Sequence, residues 1–296
     1  MARISVGNGT KENRTEHMKL SPDKTKWIWV VIYAAAFLTT ILVLLTLCGD
    51  EGIDYDEGYT FQTARDYTHI GIVKKMIEES DTDIPLFYSL LRVWILLFGG
   101  IGHRFFAARC FSVMGTVASM ILGVTAIRKR WGNPAALFFM IATSLAPSMM
   151  HVSVNIRMYS WTNFLITASA VLIYDLVDEA DNTKKWLLLN LCTLIGLFFH
   201  YFITFTFAFL YLYLLIALIR RRSRSIWKLF ICGGAPLAAL IGWVVTCGIL
   251  HYVRTENSDV EIKKILMKQL FYYLFQTDMK YDLIIGTVLL LTAIAG

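Results

Sequence analysis

The sequence predicts an all-α membrane protein of about eight transmembrane helices, with two further helices lying at the membrane surface in the first external loop. Three observations lead there. Of 296 residues, 56% are hydrophobic and only 17% charged, with mean hydropathy +0.56, outside the usual balance of a water-soluble domain. The apolar residues come in runs of about 17–25, the length that crosses a bilayer core as helix. The alternating segments of about ten residues that build an outer-membrane barrel are absent. Backbone polar groups in lipid must then be satisfied within each segment, which selects helices.

The first 26 residues are polar and carry Arg3, Lys11, Arg14, Lys19, Lys24 and Lys26. The next apolar run, 27–47, is longer than a signal-peptide core, and Cys48-Gly49-Asp50-Glu51 follows it where a cleavage site would need small residues. It is therefore a retained first span, with 1–26 as a basic cytoplasmic segment and 27–296 as the transmembrane domain. The run 85–98 decides the rest. Its 14 residues make about 21 Å of helix against a core of about 30 Å, and Arg92 lies in its middle. Such a segment belongs in the interface. Charge gives an independent test. With 85–98 outside, Arg128-Lys129-Arg130, Lys184-Lys185 and the cluster Arg220-Arg221-Arg222-Ser223-Arg224 all fall in the cytoplasm, as short basic loops do. With 85–98 spanning, all three fall outside. The external loop is then 48–104, and seven further passes follow near 105–127, 133–152, 160–177, 186–200, 202–219, 226–250 and 282–296. The last stops without a basic flank, the pattern expected of a chain truncated at its C-terminus.

The formal charge of +6 sits in these few loops, so it points to membrane topology and gives no reason to invoke nucleic acid. The five cysteines lie in or at the ends of apolar runs, with no CxxC or Cys/His metal spacing, and read as small buried hydrophobes. The chain shows no internal repeat.

Chemistry-bearing residues gather on the opposite side. Ten of the 22 acidic residues lie between Asp50 and Asp83, including the string Asp54-Tyr55-Asp56-Glu57. Residues 57–79 have rough helical patterning, predicting a helix along the surface joined by 80–83 to the helix over 85–98. Asn155-Ile156-Arg157-Met158-Tyr159, His200-Tyr201, His251, Arg254 and Lys263-Lys264 sit at span ends on the same side. The middles of the spans hold no Asp, Glu, Lys or Arg, whereas ion-coupled transporters keep ionisable groups or broken helices near the midplane. The bland alternatives are a solvated acidic loop, Arg157 as an interfacial anchor and His200 as a satisfied residue at a tight turn.

Five strings in fixed order resemble the polytopic glycosyltransferases of the GT-C fold, in the branch of the protein O-mannosyltransferases and aminoarabinose transferases. They are Asp56-Glu57-Gly58-Tyr59, Ala64-Arg65-Asp66, Asp81-Thr82-Asp83-Ile84-Pro85-Leu86-Phe87-Tyr88, Asn155-Ile156-Arg157-Met158-Tyr159 and His200-Tyr201-Phe202, and the resemblance covers about residues 27–220. It departs from the family pattern at Asp83-Ile84, where a His-Pro pair is usual, and at Asn155, where the family has Glu.

The resemblance implies transfer of a sugar from a polyprenyl-phosphate donor to an acceptor at the external face, with inversion. It assigns Asp56 as the base and Glu57 as its orienting partner or a metal holder. Arg157, Tyr159, His200, Tyr201, Arg65, Asp81, Pro85 and Tyr88 become candidates for donor phosphate or substrate. A divalent cation is compatible with the carboxylates but not demanded by their spacing. A transporter or flippase, or a non-catalytic membrane scaffold binding a partner through its acidic loop, are the rival classes.

Overall fold

The computed structural model describes residues 22–50, 52–78, 84–100 and 103–255, and every regular element among them is a helix. Helix α1 (Pro22–Asp50) is one uninterrupted run whose Trp27, Val31, Leu38 and Leu42 face outward. An apolar face this large makes sense against lipid.

The first loop holds three short helices: α2 (Tyr55–Asp66), α3 (His69–Glu78) and α4 (Pro85–Phe98). The single helix expected over 57–79 is therefore two, and the loop contains three helices where two were expected. The break falls at Tyr67, which is extended and caps α2, after which the Thr68 hydroxyl accepts from the Gly71 N–H at 3.1 Å and opens α3. Proline at the first position opens α4, where its missing N–H is no loss. Phe87, Tyr88, Leu91 and Ile95 of α4 are buried, while Leu90, Val93, Leu96 and Leu97 are exposed. A helix apolar on both faces packs inward and meets lipid outward.

Helix α5 (Arg104–Leu122) runs through one π-helical turn (Gly123–Ile127) into α6 (Arg128–Ser144). The 41-residue stretch from Arg104 to Ser144 does not form one rod. The chain folds back at Gly132, whose φ of 84° is the left-handed region that glycine alone enters freely. Gly123 consequently lies against Phe139 and Met140 of the returning arm. The pass expected over 133–152 is interrupted: α6 ends at Ser144, Ala146 is extended, and Pro147 starts the separate α7 (Pro147–Val154). Proline excludes its predecessor from helical conformation, which places the break there.

Helices α8 (Tyr159–Asp178), α9 (Thr183–Phe199), α10 (Ile203–Arg220) and α11 (Ile226–Thr255) complete the bundle, joined by short turns. A core of α8–α11 side chains, including Trp186, Leu189, Leu197, Phe207 and Leu214, adjoins a second core between α2, α4, α5, α8 and α9. Among the described residues five stretches are long and apolar enough to cross a membrane, and α9 falls one residue short of the same length. The pass expected near 282–296 lies outside the described residues, as do Lys263-Lys264 and most of the basic segment 1–26.

One end of the bundle gathers the basic loops. Arg130 Nε reaches Asp175 at 2.6 Å, Lys185 bonds Asp175 and Glu179 at 2.6 and 2.9 Å, and Arg221 bonds Asp178 at 2.6 Å. Ser225 donates to Asp181 at 2.7 Å. Tyr33, near the start of α1, donates to Asn133 at 2.9 Å. The three basic loops and the first turns of α1 thus share one end.

Candidate active site

At the other end the chain is tied together by one buried ion pair. Glu57 and Arg109 are each 2% exposed, and the guanidinium meets both carboxylate oxygens at 2.8 Å. Arg109 also donates to the carbonyls of Cys48 and Gly52, both at 3.0 Å, and Glu57 Oε1 accepts from the Ile156 N–H at 3.1 Å. The end of α1, the following linker, α2, α5 and the segment before α8 therefore meet at a single pair of side chains. Both oxygens of Glu57 are engaged, so its role is to position α2.

Two more contacts fasten α2 to the segment 155–157. Asp54 caps α2 by accepting the Glu57 N–H at 2.7 Å, and its second oxygen accepts from Asn155 Nδ2 at 2.9 Å. A glutamate at 155 would set a second carboxylate against Asp54 in place of an amide donor, so an amide suits this position. Arg157 Nη1 donates to Thr60 Oγ1 at 3.2 Å, and that hydroxyl donates to the Asp56 carbonyl at 2.8 Å. Asp56 itself is exposed, in the first turn of α2.

Aromatic rings extend the site. The Arg157 guanidinium lies 5.8 Å from the Tyr159 ring, Tyr159 is 5.6 Å from the His200 ring, and His200 is 5.4 Å from Tyr201. His200 sits at the turn between α9 and α10, with Nδ1 buried and lacking a hydrogen-bond partner among the described residues. Burial, with the Arg157 charge adding to it, lowers its pKa to about 4, so the ring is neutral at neutral pH. Asn155 Oδ1 is likewise buried without a partner there. Buried polar atoms that lack a partner among the described residues suit a site that receives a polar ligand.

Pro85 and Tyr88 of α4 are buried beside this turn: Ile84 shares a core with Tyr201, and Tyr88 packs edge-on to Tyr59 at 6.5 Å. Arg65 goes elsewhere. It is exposed, binds Asp66 at 2.6 and 2.9 Å and lies over Phe61, about 12 Å along α2 from Glu57. Asp81 lies outside the described residues, and so do the side chains of His251 and Arg254. Among the described residues no three of His, Cys, Asp and Glu converge as a metal site.

Sequence reasoning passed over Arg109. Its signal was an arginine within an apolar span, which requires a carboxylate at the same depth. Comparison with protein-family models, with curated proteins and with solved structures returned no match to this chain.

Proposed function

We propose that this chain is a GT-C-like membrane glycosyltransferase that moves a sugar from a polyprenyl-phosphate donor to an acceptor at the external face. The supporting observation is the fastening of the Asp54–Thr60 turn to Asn155-Ile156-Arg157 beside His200, at the end of the bundle away from the basic loops. In this reading α1, α5, α6, α8, α9, α10 and α11 are passes. The helices α2, α3 and α4 form a shelf at the outer headgroup level, and the N-terminus is cytoplasmic.

The exposed Asp56 carboxylate takes the proton of an acceptor hydroxyl as its oxygen attacks the anomeric carbon. The bond from that carbon to the phosphate oxygen breaks in the same displacement, inverting the centre. Arg157 neutralises the charge that develops on the departing phosphate, a contact for which the planar guanidinium is well shaped. His200, neutral, contributes a hydrogen bond without adding charge. Glu57 and Arg109 hold Asp56 at the right depth. A cavity of about 230 Å³ between α9, α10 and α11, lined by Leu197, Phe207, Leu229 and Leu237 and reaching Thr204 next to the site turn, suits an isoprenoid tail.

The experiment is transfer from radiolabelled polyprenyl-phosphate sugars in membranes holding the protein. Asp56→Asn is expected to abolish transfer with expression and insertion intact, and Arg157→Ala to weaken use of the lipid donor severely. Full turnover by Asp56→Asn would return the chain to the scaffold class.

A further inference from the structure

Where α2 ends, three arginines line one pocket of about 170 Å³: Arg65 from α2, Arg92 from α4 and Arg104 from the first turn of α5. Arg65 is matched by Asp66. Arg92 Nη1 is occupied, donating to the carbonyls of Ala64 and Arg65 at 3.2 and 3.0 Å, where it closes the end of α2. The remaining nitrogens of Arg92, and all of Arg104, have no hydrogen-bond or ion-pair partner among the described residues. Gly99 lines the same pocket: a Cβ there would meet the Ile95 carbonyl oxygen at 2.4 Å and would lie 3.3 Å from the Arg104 Cγ. With a single carboxylate among them in the described residues, guanidiniums held around one space repel one another, and an anion between them relieves that repulsion.

The surroundings say what kind of anion. Leu96 lines the pocket and is 68% exposed, and Leu97 beside it is 69% exposed. A charged recess that opens onto an apolar helix face matches a molecule with an anionic head and hydrocarbon chains. Guanidiniums take phosphate oxygens in paired hydrogen bonds better than any other side chain. We propose that this pocket binds the headgroup phosphate of an anionic bilayer lipid, whose chains lie along the exposed face of α4. The site is separate from the candidate reaction centre and does not depend on sugar transfer. By holding α2, α4 and α5 together at headgroup level, the lipid would set the depth of the whole shelf.

The test is thermal unfolding of the purified full chain in detergent, titrated with phosphatidylglycerol, phosphatidylcholine or inorganic phosphate. Phosphatidylglycerol is expected to raise the unfolding temperature saturably, and the other two to leave it unchanged. Arg104→Gln should raise the phosphatidylglycerol concentration for half effect about tenfold, the size of one lost charge-assisted contact. Lys129→Gln, at the opposite end, should not move it. Arg92→Gln should act in the same direction from a lower starting temperature, because it also loses the carbonyls of α2; Arg104→Gln carries no such loss and decides the matter. Equal protection by phosphatidylcholine, or an unchanged half effect in Arg104→Gln, overturns the proposal. Saturable protection by inorganic phosphate with no preference between the lipids overturns the lipid assignment in favour of a soluble phosphate compound.

Discussion

Glu57 and Arg109 show why a buried ion pair is better read as a positioning device than as a source of stability. Bringing both charges out of water costs roughly what their attraction returns, but removing one partner leaves the other uncompensated, at about 3–5 kcal/mol. Arg109→Met strands the Glu57 carboxylate with the Ile156 N–H as its remaining hydrogen-bond partner among the described residues, and should lower the unfolding temperature in detergent sharply. Adding Glu57→Leu should restore much of that loss without restoring transfer, because α2 is then no longer keyed to the segment 155–157. A double variant no more stable than Arg109→Met would show that the pair is not the cause. His200 carries a second prediction at this scale. Its folded pKa of about 4 lies below the ordinary 6.5, so as pH falls the unfolded chain takes up the proton first. The stability tied to this ring is complete above about pH 6.5 and drains away down to about pH 4, roughly 3 kcal/mol in all. Unfolding temperatures of His200→Gln should therefore fall less over that interval than those of the unaltered chain. Parallel acid limbs would mean that the ring is not held neutral by burial.

Among the elements, the contact of α5 with α8 governs the site most directly. Ser112, Gly115 and Ser119 present a small-residue face of α5, the kind that lets membrane helices approach closely. At Gly115 the approach is extreme: a Cβ would lie 2.7 Å from the Trp161 nitrogen and 2.8 Å from Ser160. Ser160 donates to the Ser112 carbonyl at 2.7 Å and Trp161 Nε1 to that of Phe111 at 2.8 Å, so the first turn of α8 is pinned to α5. The segment bearing Arg157 leads directly into that turn. Gly115→Ala should force the helices apart, destabilising by about 1–3 kcal/mol and depressing transfer as Arg157 moves off Thr60. Gly242→Ala on α11, where a Cβ meets nothing within 4 Å, is the matched control and should be neutral or slightly stabilising. If both variants unfold at the same temperature, the close approach is unimportant. The spacing of these small residues is visible in the chain, but which helix they meet is not. That limit recurs in the first loop. Helical patterning over 57–79 was legible, while the break at Tyr67 rests on a cap and on packing against α4.

At the scale of the whole molecule, what could be read in advance was whatever depends on local composition. Run length and charge marked α1, the α5–α6 hairpin and α8–α11, and positions at the ends of those runs put Asp56, Arg157 and His200 at the same end. The pairing of Glu57 with Arg109 bridges 52 positions and leaves no periodic trace, so it was missed. Arg65 shows the converse, since its place on α2 carries it to a pocket with Arg92 and Arg104 that its neighbours in the sequence do not announce. Topology is the inference with the widest reach, because it rests on charge asymmetry alone: Arg130, Lys185 and Arg221 are tied into one end of the bundle, and Asp54, Asp56 and Glu57 lie at the other. Moving a cluster of Lys and Arg across a bilayer is costly, so the basic end should stay on the side of synthesis. Gln62 on α2 and Lys129 at the start of α6 are both exposed and lie at opposite ends. In intact cells a membrane-impermeant thiol reagent should modify Gln62→Cys at once, and Lys129→Cys only after the membrane is opened. Labelling of both from the same side would place the acidic shelf and the basic loops in one compartment. The reading of 85–98 as an interfacial helix would then be wrong, and with it the external reaction centre.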